Sequence, residues 1–123
     1  MPFVHRESVR FRDLDSLGHV NNAVYATYLE QARIAFLEPI GATQPDMILA
    51  RLEIDFRAQV GLGDDVEVEV RPAGVGTKSF SLDYTVRVGE CIVAEAKSVL
   101  VAYDYAKERS VEVPARWREA LAA

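Results

Sequence analysis

One change of hydrophobic period constrains this chain more than any other feature. From Ala23 to Glu38, apolar residues recur at spacings of three and four; from Ile48 to Tyr103 they recur at spacings of two. The first pattern is that of one amphipathic helix and the second that of a succession of strands. Tyr25, Tyr28, Leu29, Ala32 and Phe36 mark the helical stripe. Flanks rich in alanine and valine predict cover on more than one side. Glu30 and Arg33, three apart, are expected to pair. The residue before a proline avoids the α region, so Glu38-Pro39 ends the helix, and Gly41 turns the chain away.

The strands read as follows. Val4 to Arg12 is a first strand, with Val9 and Phe11 alternating with arginines. After the helix, alternation runs through Ala50–Phe56, Val66–Val70, Phe80–Val88 and Cys91–Tyr103. Turns are expected at Gly61 and Gly63, at Pro72–Gly76, and at Gly89-Glu90, where a type II′ hairpin wants positive φ. Pro114 to Leu121 reads as a short terminal helix with proline in its first turn. Strand, long helix, then four strands with short turns predicts an α+β domain over residues 1–123, an antiparallel meander packed by one face on a single helix.

Composition narrows the function. Half of the 123 residues are hydrophobic, enough for a packed core. Net charge is -5 with the acids dispersed, which argues against nucleic acid as a partner. No apolar run approaches the roughly 18 residues of a membrane span, and the N-terminus lacks the apolar core of a signal peptide. Cys91 is the only cysteine, as expected of a chain in a reducing cytoplasm, and is expected to be inert packing. Two histidines without a cysteine cluster make a metal site unexpected. Gly74-Val75-Gly76-Thr77-Lys78-Ser79 fails as a phosphate loop, because Thr77 breaks the order and a strand follows; Lys78 stays a candidate contact for a ligand phosphate.

Chemistry concentrates between Asp13 and Asn22, just before the helix. Asn21 or Asn22 is a natural N-cap. The free N–H groups of a helix start stabilise a developing oxyanion, and a nearby carboxylate can attack a carbonyl or activate water. Asp15 is therefore the main catalytic candidate, against the plainer reading that Asp13 and Asp15 satisfy backbone N–H groups in a turn. His19 is a candidate to polarise a carbonyl or orient Asp15, against a ring bonded to a backbone carbonyl.

The run Asp13-x-Asp15-x-x-Gly18-His19-Val20-Asn21-Asn22-x-x-Tyr25-x-x-Tyr28-x-Glu30-x-Ala32-Arg33 resembles the signature of hot-dog-fold acyl-CoA thioesterases of the 4-hydroxybenzoyl-CoA thioesterase type. Its Gly-His-Val-Asn-Asn segment also resembles plant acyl-carrier-protein thioesterases. Arg51–Phe56 and Gly63–Val66 are similar to that family's second strand and following turn. The resemblance implies an antiparallel five-stranded sheet wrapped around a central helix. It implies hydrolysis of an acyl-CoA or acyl-carrier-protein thioester, with Asp15 as nucleophile or general base and the Asn22 amide as oxyanion donor. His19 matches the plant-type histidine, but Leu17 stands where that motif has asparagine. Asn21, Tyr25 and Lys78 are expected substrate contacts. No cofactor is implied beyond coenzyme A as part of the substrate, and a homodimer or homotetramer is implied. The alternatives are an acyl-CoA-binding hot-dog domain without turnover and an enoyl-CoA hydratase, whose Asp-x-Asn-Pro-x-His pattern is absent.

Overall fold

In a computed structural model, residues 2–42 and 46–122 are described; residues 1, 43–45 and 123 lie outside it. Strand β1 (Phe3–Ser8) leads through a 3-10 turn (Phe11–Asp13) and the motif loop into α1 (Asn22–Leu37). Strands β2 (Met47–Phe56), β3 (Asp65–Val75), β4 (Ser79–Val88) and β5 (Cys91–Asp104) follow, then the two-residue β6 (Arg109–Ser110) and helix α2 (Ala115–Ala122). The five long strands expected from the periodicity are present, and β6 adds a short pairing on β5.

The sheet is antiparallel in the order β1-β3-β4-β5-β2. Hairpins join β3, β4 and β5 as a meander, but β2 pairs with β5 and not with β3. The expected meander is thus broken at its first link. Residues 57–64 cross from one side of the sheet to the other, because Arg57 and Ala58 both donate to the Val93 carbonyl and Val60 accepts from the Val20 amide. Those bonds carry the chain past the helix start before Gly61 and Gly63 turn it. Alternation sets which face a side chain takes and says nothing about which strand lies alongside.

Val66, Val68 and Val70 of β3 are buried, as are Phe80, Leu82, Tyr84 and Val86 of β4. With Ala94, Ala96 and Leu100 of β5 they form the face on which α1 lies. Tyr25, Tyr28, Leu29 and Ala32 are buried against it. Phe36 is half-buried and meets Phe3 edge-on, with centroids 5.4 Å apart. Thr27, Glu30, Gln31 and Ile34 form an exposed stripe, so in the single chain the helix is covered on one side and not more. Arg33 turns inward, 2% exposed, and donates to the Tyr84 hydroxyl at 3.3 Å; Glu30 reaches it only at 4.0 Å.

Other expectations shift locally. The first strand ends at Ser8, and Phe3, His5 and Glu7 take the inner side opposite Val70, Val68 and Val66. The Asp13 carboxylate accepts the Arg10 amide and closes the chain into a turn, which leaves Phe11 82% exposed. Strand β3 runs through Pro72 to Val75 with a bulge, and the turn tightens to Gly76–Lys78. Gly89 takes φ +60 in the β4–β5 hairpin, as its position demands. Cys91 is free and exposed, not packed. No helix among the described residues is long and apolar enough to cross a membrane.

Candidate active site

The motif folds as a narrow loop standing on the helix start. Leu14 bridges Val20, the Asp15 amide donates to the His19 carbonyl at 2.7 Å, and the Asn21 amide donates to the Asp13 carbonyl at 2.9 Å. Gly18 holds φ +83 at the tip, a conformation that side chains resist. His19 bridges Gly61, which fastens the loop to the crossing link.

Asp15 lies on the outer turn of this loop. Its Oδ1 accepts the amides of Leu17 at 2.8 Å and His19 at 3.1 Å, so one oxygen folds the loop, and among the described residues Oδ2 has no partner. The His19 amide, followed by that of Leu17, holds the carboxyl below its ordinary value, leaving an ionised acid at neutral pH. Asn21 is the N-cap, with its side chain accepting the Ala23 amide at 2.9 Å and its carbonyl accepting the Val24 amide. Asn22 is the first helical residue, and its N–H has no intrahelical acceptor.

A cleft of about 320 Å³ brings these parts together. Asp15, His19, Asn22 and Tyr25 line it, with Leu17 and Val20 beside them. Tyr25 is buried, meets Phe56 edge-on at 5.1 Å and points its hydroxyl at the Ala58 carbonyl at 3.4 Å; burial raises that hydroxyl above its ordinary value. The cleft thus joins an anionic oxygen, an imidazole and a helix start to an aromatic wall, a combination suited to acyl transfer.

Two expected contacts lie elsewhere. The Asn21 side chain is taken up by the cap and does not line the cleft. Lys78 precedes Ser79, at the opposite end of β4 from Val86, which stands in register with Ala94 and through it Phe56. A strand's rise puts roughly 20–25 Å between those ends. Sequence reasoning missed the far wall, Phe56 to Gln59, which the crossing link delivers. The signal was Arg57-Ala58-Gln59-Val60, a break in alternation ahead of Gly61 that no hairpin needs. Among the described residues, no group of three or more His, Cys, Asp or Glu side chains could hold a metal.

Comparison with known proteins bears on the fold and the family. The family model of the thioesterase-like superfamily matches residues 9–121. A Thermus thermophilus thioesterase, solved with coenzyme A and Zn, superposes with a TM-score of 0.89 at 38% identity, covering 96% of this chain and 92% of the other. A chloroplastic acyl-acyl carrier protein thioesterase of Arabidopsis thaliana is 30% identical over 93% of this chain and 65% of its own length. A 1,4-dihydroxy-2-naphthoyl-CoA hydrolase of Nostoc punctiforme is 27% identical over 93% of this chain and 82% of its own. The chain spans only 58% and 65% of the length of two curated relatives, a Bacillus subtilis protein and the Arabidopsis thioesterase. With its curled antiparallel sheet on one long helix, this chain has the hot-dog fold and belongs to the thioesterase-like superfamily.

Proposed function

We propose that this chain hydrolyses an acyl thioester, carried on coenzyme A or on an acyl-carrier protein, to the free acid and the thiol. The observation that carries this reading is the shared cleft, which is lined by both the ionised Asp15 and Asn22, the first residue of α1. The thioester carbonyl would lie with its oxygen on the Asn22 N–H, where the helix start favours negative charge. Asp15 would act in one of two ways. As nucleophile it forms an acyl anhydride and expels the thiolate, and water then cleaves the anhydride. As base it takes a proton from the water that attacks. His19 would assist or orient the reacting groups, and Tyr25 would wall the acyl group. The 4-hydroxybenzoyl-CoA type is the subgroup that the motif favours.

Assembly belongs to the same reading. Strand β2 is an edge ten residues long with Leu49 and Phe56 exposed, the kind of edge that pairs unless it is protected. We place the working unit as a homodimer or homotetramer, in a reducing compartment such as the cytoplasm where the exposed, free Cys91 stays a thiol.

The two backbone amides on Asp15 Oδ1 favour a second reading, in which the loop binds an acyl thioester without turnover. A panel of short, long and aromatic acyl-CoA esters with thiol detection separates the two. Thiol release from any member supports the hydrolase, and binding without release supports the second reading.

A further inference from the structure

Asp13 is the one buried acid among the described residues, at 3% exposure, and the proposed chemistry does not use it. Its Oδ2 accepts the Arg10 amide at 2.9 Å and the Tyr28 hydroxyl at 2.7 Å, while the Arg10 guanidinium stands 3.3 Å from Oδ1. Its backbone carbonyl takes the amide of Asn21, the N-cap. One residue thus grips the motif loop at its base in two directions, through its side chain to the second turn of α1 and through its carbonyl to the helix start. Tyr28 lies on the buried stripe at 2% exposure, a place where packing alone needs no hydroxyl. Among the described residues its hydroxyl bonds Asp13 alone.

We propose that Asp13 and Tyr28 are positioning residues, a buried strut that fixes the Asp15 loop relative to the Asn22 amide. The catalytic consequence rests on the thioesterase reading; the geometric consequence does not. A loop and a helix joined end to end can shift at their junction unless further bonds hold them, and a displacement of 1 Å at reacting groups can cost about 10²-fold in rate. The Tyr28 hydroxyl stops the loop base from sliding along the helix. The carbonyl bond to Asn21 stops it from lifting off. Asp15 then meets the helix start at a set separation without touching either strut residue.

Tyr28→Phe tests this, because it removes one hydroxyl and keeps the ring. The expected variant stays folded by circular dichroism, loses roughly 10- to 100-fold in kcat with KM little changed, and shows the Asp15 carboxyl titrating closer to its ordinary value by carbon NMR. That last shift follows from looser Leu17 and His19 amides and needs no substrate. Asp13→Asn is expected to move the same titration in the same direction, and it decides the matter if Tyr28→Phe does not fold. A variant that melts earlier but keeps the wild-type Asp15 titration would overturn the strut, leaving the pair as packing only. If the wild type releases thiol from no ester, the thioesterase reading fails, and the Asp15 titration still decides the strut.

Discussion

Asp15 uses one oxygen to shape its own loop and leaves the other without a partner among the described residues, and that division has a pH consequence. The His19 and Leu17 amides favour the ionised form, so its folded value lies below the ordinary one near 3.9. Activity that needs the carboxylate is expected to stay level from neutral pH down to about pH 5 and to fall only in the ordinary carboxylate range or below. A kcat/KM profile of a His19→Gln variant, in which no imidazole shares the cleft, checks this, and an acid limb between pH 6 and 7 there would contradict it. Asp13 behaves alike for a different balance of causes. Burial raises its carboxyl, but the Arg10 amide, the Tyr28 hydroxyl and the Arg10 guanidinium together lower it further. A group lowered on folding adds stability above its unfolded value, and that stability is lost as pH falls through the folded one. In urea titrations followed by Trp117, the only tryptophan and a buried one, wild type is expected to exceed Asp13→Asn at pH 7 and to converge with it toward pH 3. At this scale the sequence points to Asp15, His19 and Asn22 as catalytic candidates and to Asn21, Tyr25 and Lys78 as substrate contacts; one cleft gathers the first three with Tyr25 and leaves out Asn21 and Lys78. The sequence does not disclose that Tyr28 bonds Asp13, since a tyrosine on an apolar stripe reads as packing until the opposite acid is placed.

Helix α1 is where local rules and tertiary demands agree most closely. Its cap and its stripe are legible, since each depends on neighbours in sequence; its end is legible in place but not in cause, because Glu38 keeps α-region angles before Pro39, a 3-10 turn carries on to Ile40, and Gly41 at φ +81 turns the chain away. Replacing the cap by Asn21→Ala frees the Ala23 amide and is expected to cost about 1 kcal/mol, read as a lower urea midpoint. Activity is expected to fall with it, because the same end of the helix carries the proposed oxyanion site. The strands were less legible at their edges. The alternation of Val9 and Phe11 carries the expected first strand four residues past Ser8, where the Arg10–Asp13 turn breaks it. The pairing of Arg33 with Glu30 is legible from their spacing and is present at 4.0 Å, but the hydrogen bond of the buried Arg33 to the Tyr84 hydroxyl is not, since Tyr84 lies far away in sequence.

For the whole molecule, the decisive feature that periodicity left open is strand order. Placing β2 outside β5 does two things: it sends residues 57–64 past the helix start, which builds the far wall of the cleft, and it leaves β2 as an edge beside that wall. Phe56 belongs to both, so the edge proposed for assembly and the cleft adjoin. The chain is expected to run at a multiple of its 13.7 kDa mass in light scattering, and Leu49→Lys, a charge on the exposed edge, is expected to shift it toward the monomer. The assay that bears most directly on Asp15 is thiol release by wild type and Asp15→Asn across the acyl-CoA panel, with both proteins shown folded. Release by the wild type and a loss of roughly 10²–10⁴ in the variant is the expected result if Asp15 is the general base, and a nucleophile would lose at least as much; near wild-type turnover in a folded Asp15→Asn variant would contradict it.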